Sequence, residues 1–277
     1  MASAFLALAA SVSWGVGDFA GGLISRRLPV LGVTFLQHTA GFATIGMIAV
    51  FVGRLHGVAL ALGALGGAFS GIGVLSYYRA LSIGTMSIVS PIAACGSIVT
   101  LGIALVAGER PSTLALVGVL VALTGGALAS FQEHARGGAS RRAVLLAVLT
   151  AFMFGFQLYF LGRASDEGGP ISAILGARGV SALLLAALVL VLRARVDVSR
   201  PELVGGIVVT GVLVAGANTL YGLSAERGLV SISSVLASLY PVTTLVLARF
   251  ALHERLNRVQ LVGVVVALTG VALTVLG

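Results

Sequence analysis

The chain has 277 residues, of which 58% are hydrophobic and 9% are charged, and its formal net charge is +8. Soluble domains carry about 25% charged residues, so this composition is typical of a membrane protein with closely packed helices. All seventeen basic residues are arginine, which excludes a P-loop lysine and a Schiff-base lysine. The arginines are dispersed over short links without interleaved aromatic residues, so the positive charge does not predict nucleic-acid binding.

Apolar stretches of about 20 residues, the length that crosses the hydrocarbon core of a bilayer, recur along the whole chain. They predict an all-α membrane protein with ten transmembrane helices, five in each half. The segments cover residues 3–24, 29–52, 58–78, 86–106, 113–131, 143–162, 170–192, 202–223, 230–250 and 259–276.

The sequence offers little for metal, disulfide or nucleotide chemistry. The single cysteine, Cys95, lies in an apolar segment and has no disulfide partner within the chain. The longest polar stretch, residues 132–142, is too short for a nucleotide-hydrolysing domain, so any transport must be driven by gradients. We expect no metal and no cofactor, because the histidines lack the spacing of metal ligands. They are His38, His56, His134 and His253.

The chain contains two copies of one unit. The stretch LVGVLVALTGGAL at 116–128 returns as LVGVVVALTGVAL at 261–273, with eleven of thirteen positions identical. We divide the chain into a first repeat at 1–131, a link at 132–142 and a second repeat at 143–277. Because a unit of five crossings leaves the chain on the far side of the membrane, the second repeat is inverted. Inverted repeats are typical of secondary transporters that work by alternating access.

The arginines predict the orientation, because short cytoplasmic links retain positive charge. Links after odd-numbered helices hold eleven arginines and the opposite links hold four, with Arg178 and Arg249 left aside. This count predicts a multi-pass protein of the plasma or inner membrane with both termini on the outer side.

Several motifs together resemble one family. They are Trp14-Gly15, YYRALSIGTMSIVSP at 77–91, GERP at 108–111, LSAERGLVSISS at 223–234, Tyr240-Pro241 and HER at 253–255. In this order and with this repetition, the chain resembles the EamA-like branch of the drug/metabolite transporter superfamily over essentially its whole length. The resemblance implies two inverted five-helix repeats and export of amino acids or similar amphiphilic metabolites. Many relatives keep their termini in the cytoplasm, which is opposite to the arginine count.

Prolines interrupt the fourth helix of each repeat, Pro91 in the first and Pro241 in the second. Each removes a backbone hydrogen bond and frees a carbonyl. They are not repeat equivalents, since the 145-residue offset matches Pro241 with Gly96. Broken helices at corresponding places in two halves nevertheless point to a substrate site, so we expect the substrate and the gating movement near these prolines.

The third helices carry glycines at four-residue spacing, as at Gly63, Gly67 and Gly71. Bare helix faces of this kind predict close packing. The same faces would suit sliding during alternating access.

Ionisable residues within the membrane are costly and mark candidate functional sites. Arg178 lies nine residues into the seventh helix, and an arginine stays charged. Aligning Gly15 with Gly155 places His38 at the equivalent point of the second helix, with Gln37 beside it. Two interpretations remain: Arg178 binds a substrate carboxylate or holds a gate, or it caps carbonyls of a broken helix.

Asp18 is the only acid well inside an apolar segment. It is the natural carboxylate for proton coupling, and the alternative is a structural pairing with Arg26, Arg27 or a neighbouring helix. Other polar side chains within helices would suit a small amphiphilic substrate or make ordinary bonds between helices. They are Trp14, Gln157, Asn218, Tyr221 and Tyr240.

Glu109 and Glu254 stand at helix junctions at equivalent positions of the two repeats, each followed by an arginine. We expect a structural role, in which each carboxylate pairs with its arginine or binds a helix N-terminus.

Other functions fit parts of the sequence. GVGDF at 15–19 contains the GxGD string that resembles intramembrane aspartyl proteases, but that chemistry needs two carboxylates, and Asp166 and Asp197 lie in polar links. Within transport, lipid-linked or sugar-type substrates are the alternative. An inert scaffold or lipid-binding protein would need neither inversion nor broken helices.

We expect a protein that is not an enzyme and that is a monomer or a homodimer. Its expected partners are a small-molecule substrate, the lipid bilayer and protons, with no nucleic acid.

Overall fold

The computed structural model describes residues 1–52, 54–84, 86–129, 140–251 and 258–277. Over these residues the chain forms twelve α-helices joined by short links. They are α1 (Ala2–Ile24), α2 (Val30–Val52), α3 (Gly57–Ile83), α4 (Met86–Ala94), α5 (Gly96–Val106), α6 (Thr113–Ala129), α7 (Arg141–Gly168), α8 (Pro170–Val191), α9 (Pro201–Glu226), α10 (Val230–Ala237), α11 (Tyr240–Ala251) and α12 (Arg258–Leu276).

Ten membrane crossings account for the twelve helices of the described residues, because the fourth and ninth crossings each consist of two shorter helices. α4 and α5 meet at Cys95, and α10 and α11 meet at Ser238 and Leu239. Within the described ranges, eight helical stretches are long and apolar enough to cross a membrane. The predicted all-α fold is confirmed.

Two helices run past the apolar limits set by the sequence. α3 continues to Ile83 and α7 to Gly168, beyond the predicted ends at 78 and 162. A helix satisfies its own backbone hydrogen bonds in lipid and in water alike. Hydrophobicity therefore marks where the membrane ends and not where the helix ends.

Contacts between links define one face of the molecule, which we call the terminal face. The N-terminus meets the end of α9 here, where the Ser3 hydroxyl donates to the Ser224 carbonyl over 2.9 Å. The C-terminal Gly277 lies against Ser112 in the link after α5. From the same link, the Glu109 carboxylate binds the start of α10. Both termini and the links after the fourth and eighth crossings therefore share this face.

The links after odd-numbered crossings meet on the opposite face. Gly32, in the first turn of α2, packs against the backbone of Arg195 and Val196 in the link after α8, which is the seventh crossing. Gly84, the residue after α3, packs against Ala143 in the first turn of α7. The second repeat therefore begins on the face opposite to the N-terminus, and the two repeats are inverted. The described links that carry Arg26, Arg27, Arg193, Arg195 and Arg200 lie on this opposite face, so the arginine count still predicts that it is cytoplasmic.

The last helices of the two repeats, α6 and α12, pack around a pseudo-twofold axis. A Cβ atom added to Gly125 would collide with the backbone of Ala267, and one added to Gly270 would collide with the backbone of Ala122. Gly125 and Gly270 are 145 residues apart, as are Ala122 and Ala267. The same contact is made twice with the partners exchanged, as two inverted copies require.

The third crossing of each repeat packs against the second crossing of the other. α3 approaches α8 so closely that a Cβ atom at Gly67 would collide with the backbone of Ala177. In the same way, a Cβ atom at Gly211 of α9 would stand 2.6 Å from the Gln37 carbonyl of α2. Gln37 and Ala177 therefore hold equivalent positions in the two repeats, 140 residues apart in the chain. The glycine faces thus bring backbones together between the repeats, which is how helices associate in lipid.

Most buried side chains belong to one core, formed by α1 to α4 and α7 to α11. The pair of α6 and α12 adds a small separate cluster with Leu239. The helices of the large core therefore surround the middle of the molecule, and α6 and α12 pack beside them.

Gly125→Ala should destabilise the protein, because the added Cβ has no room against Ala267. The usual cost of overpacking is about 1–3 kcal/mol. Gly102→Ala in α5 is the matched control, since a Cβ there meets nothing within 4 Å. The control should leave stability unchanged or raise it, because alanine is the better helix former. Thermal unfolding in detergent measures both variants, and equal effects would contradict the close packing of α6 on α12.

Candidate functional site

A cavity lies at the middle of the molecule, at mid-length of the helices that surround it. It contains about 560 Å³ of space between protein atoms, its open part included. Both repeats contribute to its wall. The polar and charged lining residues are Trp14, Asp18, Ser70, Ser97, Gln157, Arg178, Asn218, Ser238 and Tyr240. The apolar lining residues are Val74, Ala93, Ala94, Gly96, Phe154, Leu158 and Val214.

The two prolines stand on opposite sides of their helix breaks. Pro241 has no N–H to donate to the Ala237 carbonyl, so α10 ends at Ala237 and α11 begins at Tyr240. Pro91 lies inside α4, and the Cys95 N–H that follows it by four residues is shared between two carbonyls at 3.2 Å. The breaks were predicted at the prolines, and they lie within one helical turn of them.

The two broken crossings touch each other where they break. α10 packs against α5, and α11 packs against α4. The Ser238 hydroxyl, at the end of α10, donates to the Ser97 hydroxyl, at the start of α5, over 3.0 Å. Both serines line the cavity, so this bond joins the two breaks at the cavity wall.

Each break is also anchored to the first helix of the other repeat. The Thr100 hydroxyl donates to the Gly155 carbonyl over 2.8 Å, and the Thr244 hydroxyl donates to the Gly15 carbonyl over 3.4 Å. Thr100 and Thr244 are 144 residues apart, and Gly15 and Gly155 are 140 apart. The anchors are therefore equivalent under the pseudo-twofold axis.

The structure changes the alignment of the two broken crossings by one residue from the alignment expected from the sequence. α5 begins at Gly96 and α11 begins at Tyr240, 144 residues later. The 145-residue offset of the last helices matched Gly96 with Pro241. The offset differs because α11, with 12 residues, is one residue longer than α5, with 11.

Arg178 brings a positive charge into the cavity wall from α8. Only 2% of its surface is exposed, and its Nε and one terminal nitrogen have no hydrogen-bond partner among the described residues. The side chain lies across Gly41 of α2, where an added Cβ would stand 3.4 Å from Cδ and Nε. A buried guanidinium is costly without an acceptor, so the arrangement favours an anion at this wall.

Asp18 lines the same cavity from α1 and is half-buried. The ion pairs formed by the described residues are those of Arg163 with neighbouring acids on α7. The structural pairing of Asp18 with Arg26 or Arg27 is therefore not observed. The cavity wall instead carries one positive and one negative side chain, on different repeats.

Trp14 and Asn218 form a polar corner of the cavity. The Trp14 Nε1–H donates to Asn218 Oδ1 over 3.0 Å, which leaves the amide N–H groups of Asn218 for the cavity. The Tyr221 ring lies 5.8 Å from the indole ring, and its hydroxyl donates to the Leu158 carbonyl over 2.7 Å. Gln157 adds a second amide to the wall.

Three residues predicted at the site lie behind its wall. His38 is fully buried and its Nδ1 bonds to the Thr34 carbonyl over 3.0 Å. Gln37 donates from Nε2 to the Tyr78 hydroxyl over 2.8 Å. Tyr221 is the third, held by its backbone bond. The described cavity wall contains none of these three side chains.

Pro91 and Pro241 also lie outside the central cavity. They line a second crevice of about 340 Å³, together with the exposed Cys95. Ala94 and Ser238 line both spaces. The prolines are thus placed at the breaks, and the wall between crevice and cavity is one residue thick.

The Glu109 carboxylate caps the first turn of α10. It accepts hydrogen bonds from the N–H groups of Val230 and Ser231, each at 3.1 Å, and from the Ser231 hydroxyl at 2.5 Å. Negative charge is favourable at a helix N-terminus. Arg110 donates instead to backbone carbonyls. The structure therefore places Glu109 at a helix N-terminus, and Glu254 lies outside the described residues.

No second carboxylate faces Asp18 within the described part of the chain. Asp166 pairs with Arg163 on α7. Asp197 lies in the link after α8, where the Ser199 hydroxyl and N–H donate to its carboxyl and lower its pKa. The described residues therefore do not form the paired carboxylates of an aspartyl protease.

The sequence analysis did not predict two residues of the cavity wall, Ser70 and Phe154, or Tyr78 behind it. Ser70 had a usable signal, because it lies on the glycine-rich face of α3. Phe154 had none, because one phenylalanine in an apolar helix looks the same whether it faces lipid or a cavity. Tyr78, which holds Gln37, was visible only as one of two adjacent tyrosines.

Comparison with known families decides the identity. The model of the EamA-like transporter family matches residues 1–131 and 141–276. The chain belongs to the EamA-like transporter family. This EamA-like transporter is a multi-pass membrane protein that transports small molecules, and the resemblance of its motifs to the family is confirmed.

Solved structures share the fold of this EamA-like transporter. One crystal structure of a protein has a TM-score of 0.79 and 18% sequence identity, over 99% of this chain and 96% of that chain. At this identity the likeness shows the fold alone. No curated protein sequence matches the chain.

Glu109→Ala should destabilise the EamA-like transporter by about 1–3 kcal/mol, because three donors at the start of α10 lose a charged acceptor. Glu226→Ala is the matched control, since Glu226 is exposed at the end of α9 near the same link. Thermal unfolding in detergent compares the two variants. A Glu109→Ala midpoint equal to that of Glu226→Ala would show that the cap contributes nothing.

Proposed function

We propose that this EamA-like transporter is a gradient-driven exporter of small amphiphilic metabolites that carry a carboxylate, with amino acids as the substrate class. The observation that carries the proposal is Arg178, a buried guanidinium on the cavity wall, two of whose nitrogens have no hydrogen-bond partner in the described part of the chain. A carboxylate is the planar acceptor that a guanidinium binds best, through two parallel hydrogen bonds.

The rest of the wall supports an amphiphilic substrate. Trp14, Phe154 and Tyr240 supply aromatic surface, and Gln157 and Asn218 supply amide groups. Small-molecule sites are commonly apolar with a few polar groups that fix orientation. An amino acid with an apolar side chain matches this combination.

Alternating access is supported by the way each broken crossing is held by the other repeat. Each broken crossing is anchored to the first helix of the other repeat by equivalent hydrogen bonds. If the two repeats exchange conformations, the cavity closes toward one face and opens toward the other. The Ser238–Ser97 bond couples the two broken crossings, so they move together.

The proton is the coupling ion in this proposal, and Asp18 carries it. Asp18 is the one acid of the described residues that lines the cavity, and it has no arginine partner there. A carboxylate inside a membrane protein binds and releases protons as its surroundings change.

Arg178→Gln should strongly reduce substrate exchange. In proteoliposomes loaded with a mixture of the standard amino acids, we expect counterflow of labelled amino acids to fall by at least about tenfold, the loss that follows when a charge-assisted hydrogen bond is removed. Arg178→Lys should be intermediate, because it keeps the charge without the two-pronged geometry.

Arg163→Gln is the matched control for charge, because Arg163 forms an exposed ion pair on α7. Size-exclusion profiles establish that each variant is folded. Wild-type protein that exchanges no labelled amino acid would retire the amino-acid assignment in favour of lipid-linked or sugar-type substrates. Undiminished exchange by folded Arg178→Gln would remove Arg178 from the site.

Asp18→Asn should uncouple transport from the proton gradient. We expect pH-gradient-driven accumulation of labelled amino acids to disappear while counterflow continues, because the amide keeps the shape of the carboxyl group but binds no proton. Asp166→Asn, in an exposed ion pair, is the control. If accumulation persists in Asp18→Asn, Asp18 is a structural residue.

A further inference from the structure

His38 and Arg178 occupy equivalent positions in the two repeats. The contacts that match Gln37 with Ala177 also match His38 with Arg178, 140 residues apart. Their helices, α2 and α8, pack against each other. The Arg178 stem crosses α2 at Gly41, one helical turn from His38, and its charge acts on the imidazole. The two residues therefore lie at equivalent places on neighbouring helices, on either side of the pseudo-twofold axis.

The hydrogen bond of His38 indicates which ring nitrogen can accept a hydrogen bond from another group. Nδ1 lies 3.0 Å from the Thr34 carbonyl, and a carbonyl only accepts, so Nδ1 carries the proton. A second cation beside Arg178 inside the membrane is unfavourable, so the ring is neutral and Nε2 is an acceptor. Nε2 is fully buried and has no partner among the described residues.

Two sets of unpaired buried atoms thus lie on facing helices: an acceptor on His38 and donors on Arg178. Buried polar atoms without partners are rare, and each calls for an explanation. His38 Nε2 is a buried acceptor without a partner among the described residues, and it belongs to the helix that the Arg178 side chain crosses.

We infer that His38 is the resting partner of Arg178, whose guanidinium donates to His38 Nε2 when the substrate carboxylate leaves. The inference rests on the proposed function, because it assigns the carboxylate to Arg178. A carrier that has released its substrate must return with Arg178 still inside the membrane, where an unpaired charge is costly. Substrate and His38 alternate as acceptors, and His38 is a positioning residue that does not touch the substrate.

This role affects one half of the transport cycle. In exchange, the carrier is loaded in both directions, so the substrate carboxylate pairs with Arg178 throughout. In net efflux, the carrier returns without substrate and depends on His38. Loss of the Nε2 acceptor therefore slows net efflux and leaves exchange in place.

Two substitutions separate the acceptor from the packing of the ring. His38→Asn retains a donor for the Thr34 carbonyl but places no acceptor at the Nε2 position. His38→Gln has a longer side chain whose amide oxygen reaches that position. His56→Asn is the control, because His56 is exposed at the start of α3.

The test compares two fluxes in the same proteoliposomes, with a mixture of the standard labelled amino acids as the probe. One flux is exchange, and the other is downhill net efflux at equal pH on both sides, where Asp18 contributes no driving force. For His38→Asn we expect net efflux to fall by about tenfold, as for loss of one hydrogen bond to a charged group. We expect exchange to continue, His38→Gln to recover much of the net efflux, and His56→Asn to behave as wild type.

The outcomes separate this inference from the proposed function. An unchanged ratio of net efflux to exchange in His38→Asn overturns the inference while the function of Arg178 stands. A parallel loss of both fluxes in folded His38→Asn also overturns it, because His38 is then a structural residue. Absence of exchange in the wild type removes the basis of both proposals.

Discussion

The structure depends on one constraint: no water is available in the middle of a bilayer to satisfy a broken helix. Two crossings break there nonetheless, and residues beside the breaks make hydrogen bonds to other helices of the protein. Threonine hydroxyls from each break bond to backbone carbonyls of the first helix of the other repeat, and the serines at the two breaks bond to each other. Because every one of these bonds joins the two repeats, the pairing of the inverted repeats holds the two breaks together at the cavity wall.

The glycine-rich helix faces also follow from the absence of water in the bilayer. Helices in lipid gain nothing from hiding apolar surface from water, so their association relies on close backbone contact. Gly67 and Gly211 allow that contact between the third and second crossings. Gly41 leaves the space across which the Arg178 side chain extends toward the cavity. Packing and charge placement are therefore achieved by the same type of residue.

The repeat, its inversion and the number of crossings were predictable, because they follow from hydrophobic segments, an odd count and a repeated stretch of sequence. Six of the predicted site residues line the cavity, namely Trp14, Asp18, Gln157, Arg178, Asn218 and Tyr240. His38, Gln37 and Tyr221 lie behind the wall, because sequence gives the depth of a residue in the membrane but not the direction it faces when a helix is apolar all round. The exact place of the break in the first repeat, at Cys95 and not at Pro91, and the one-residue change of register were beyond sequence, since the hydrophobic pattern marks neither.

Trp14 is the only tryptophan of the chain, and it stands in the cavity wall with its indole N–H bonded to Asn218. All indole emission of the protein therefore originates at one place, beside the space where a substrate would lie. The emission wavelength of an indole depends on the polarity and hydrogen bonding around it. The transporter thus carries a spectroscopic reporter of its own cavity, and a ligand search can begin with unlabelled compounds and unmodified protein.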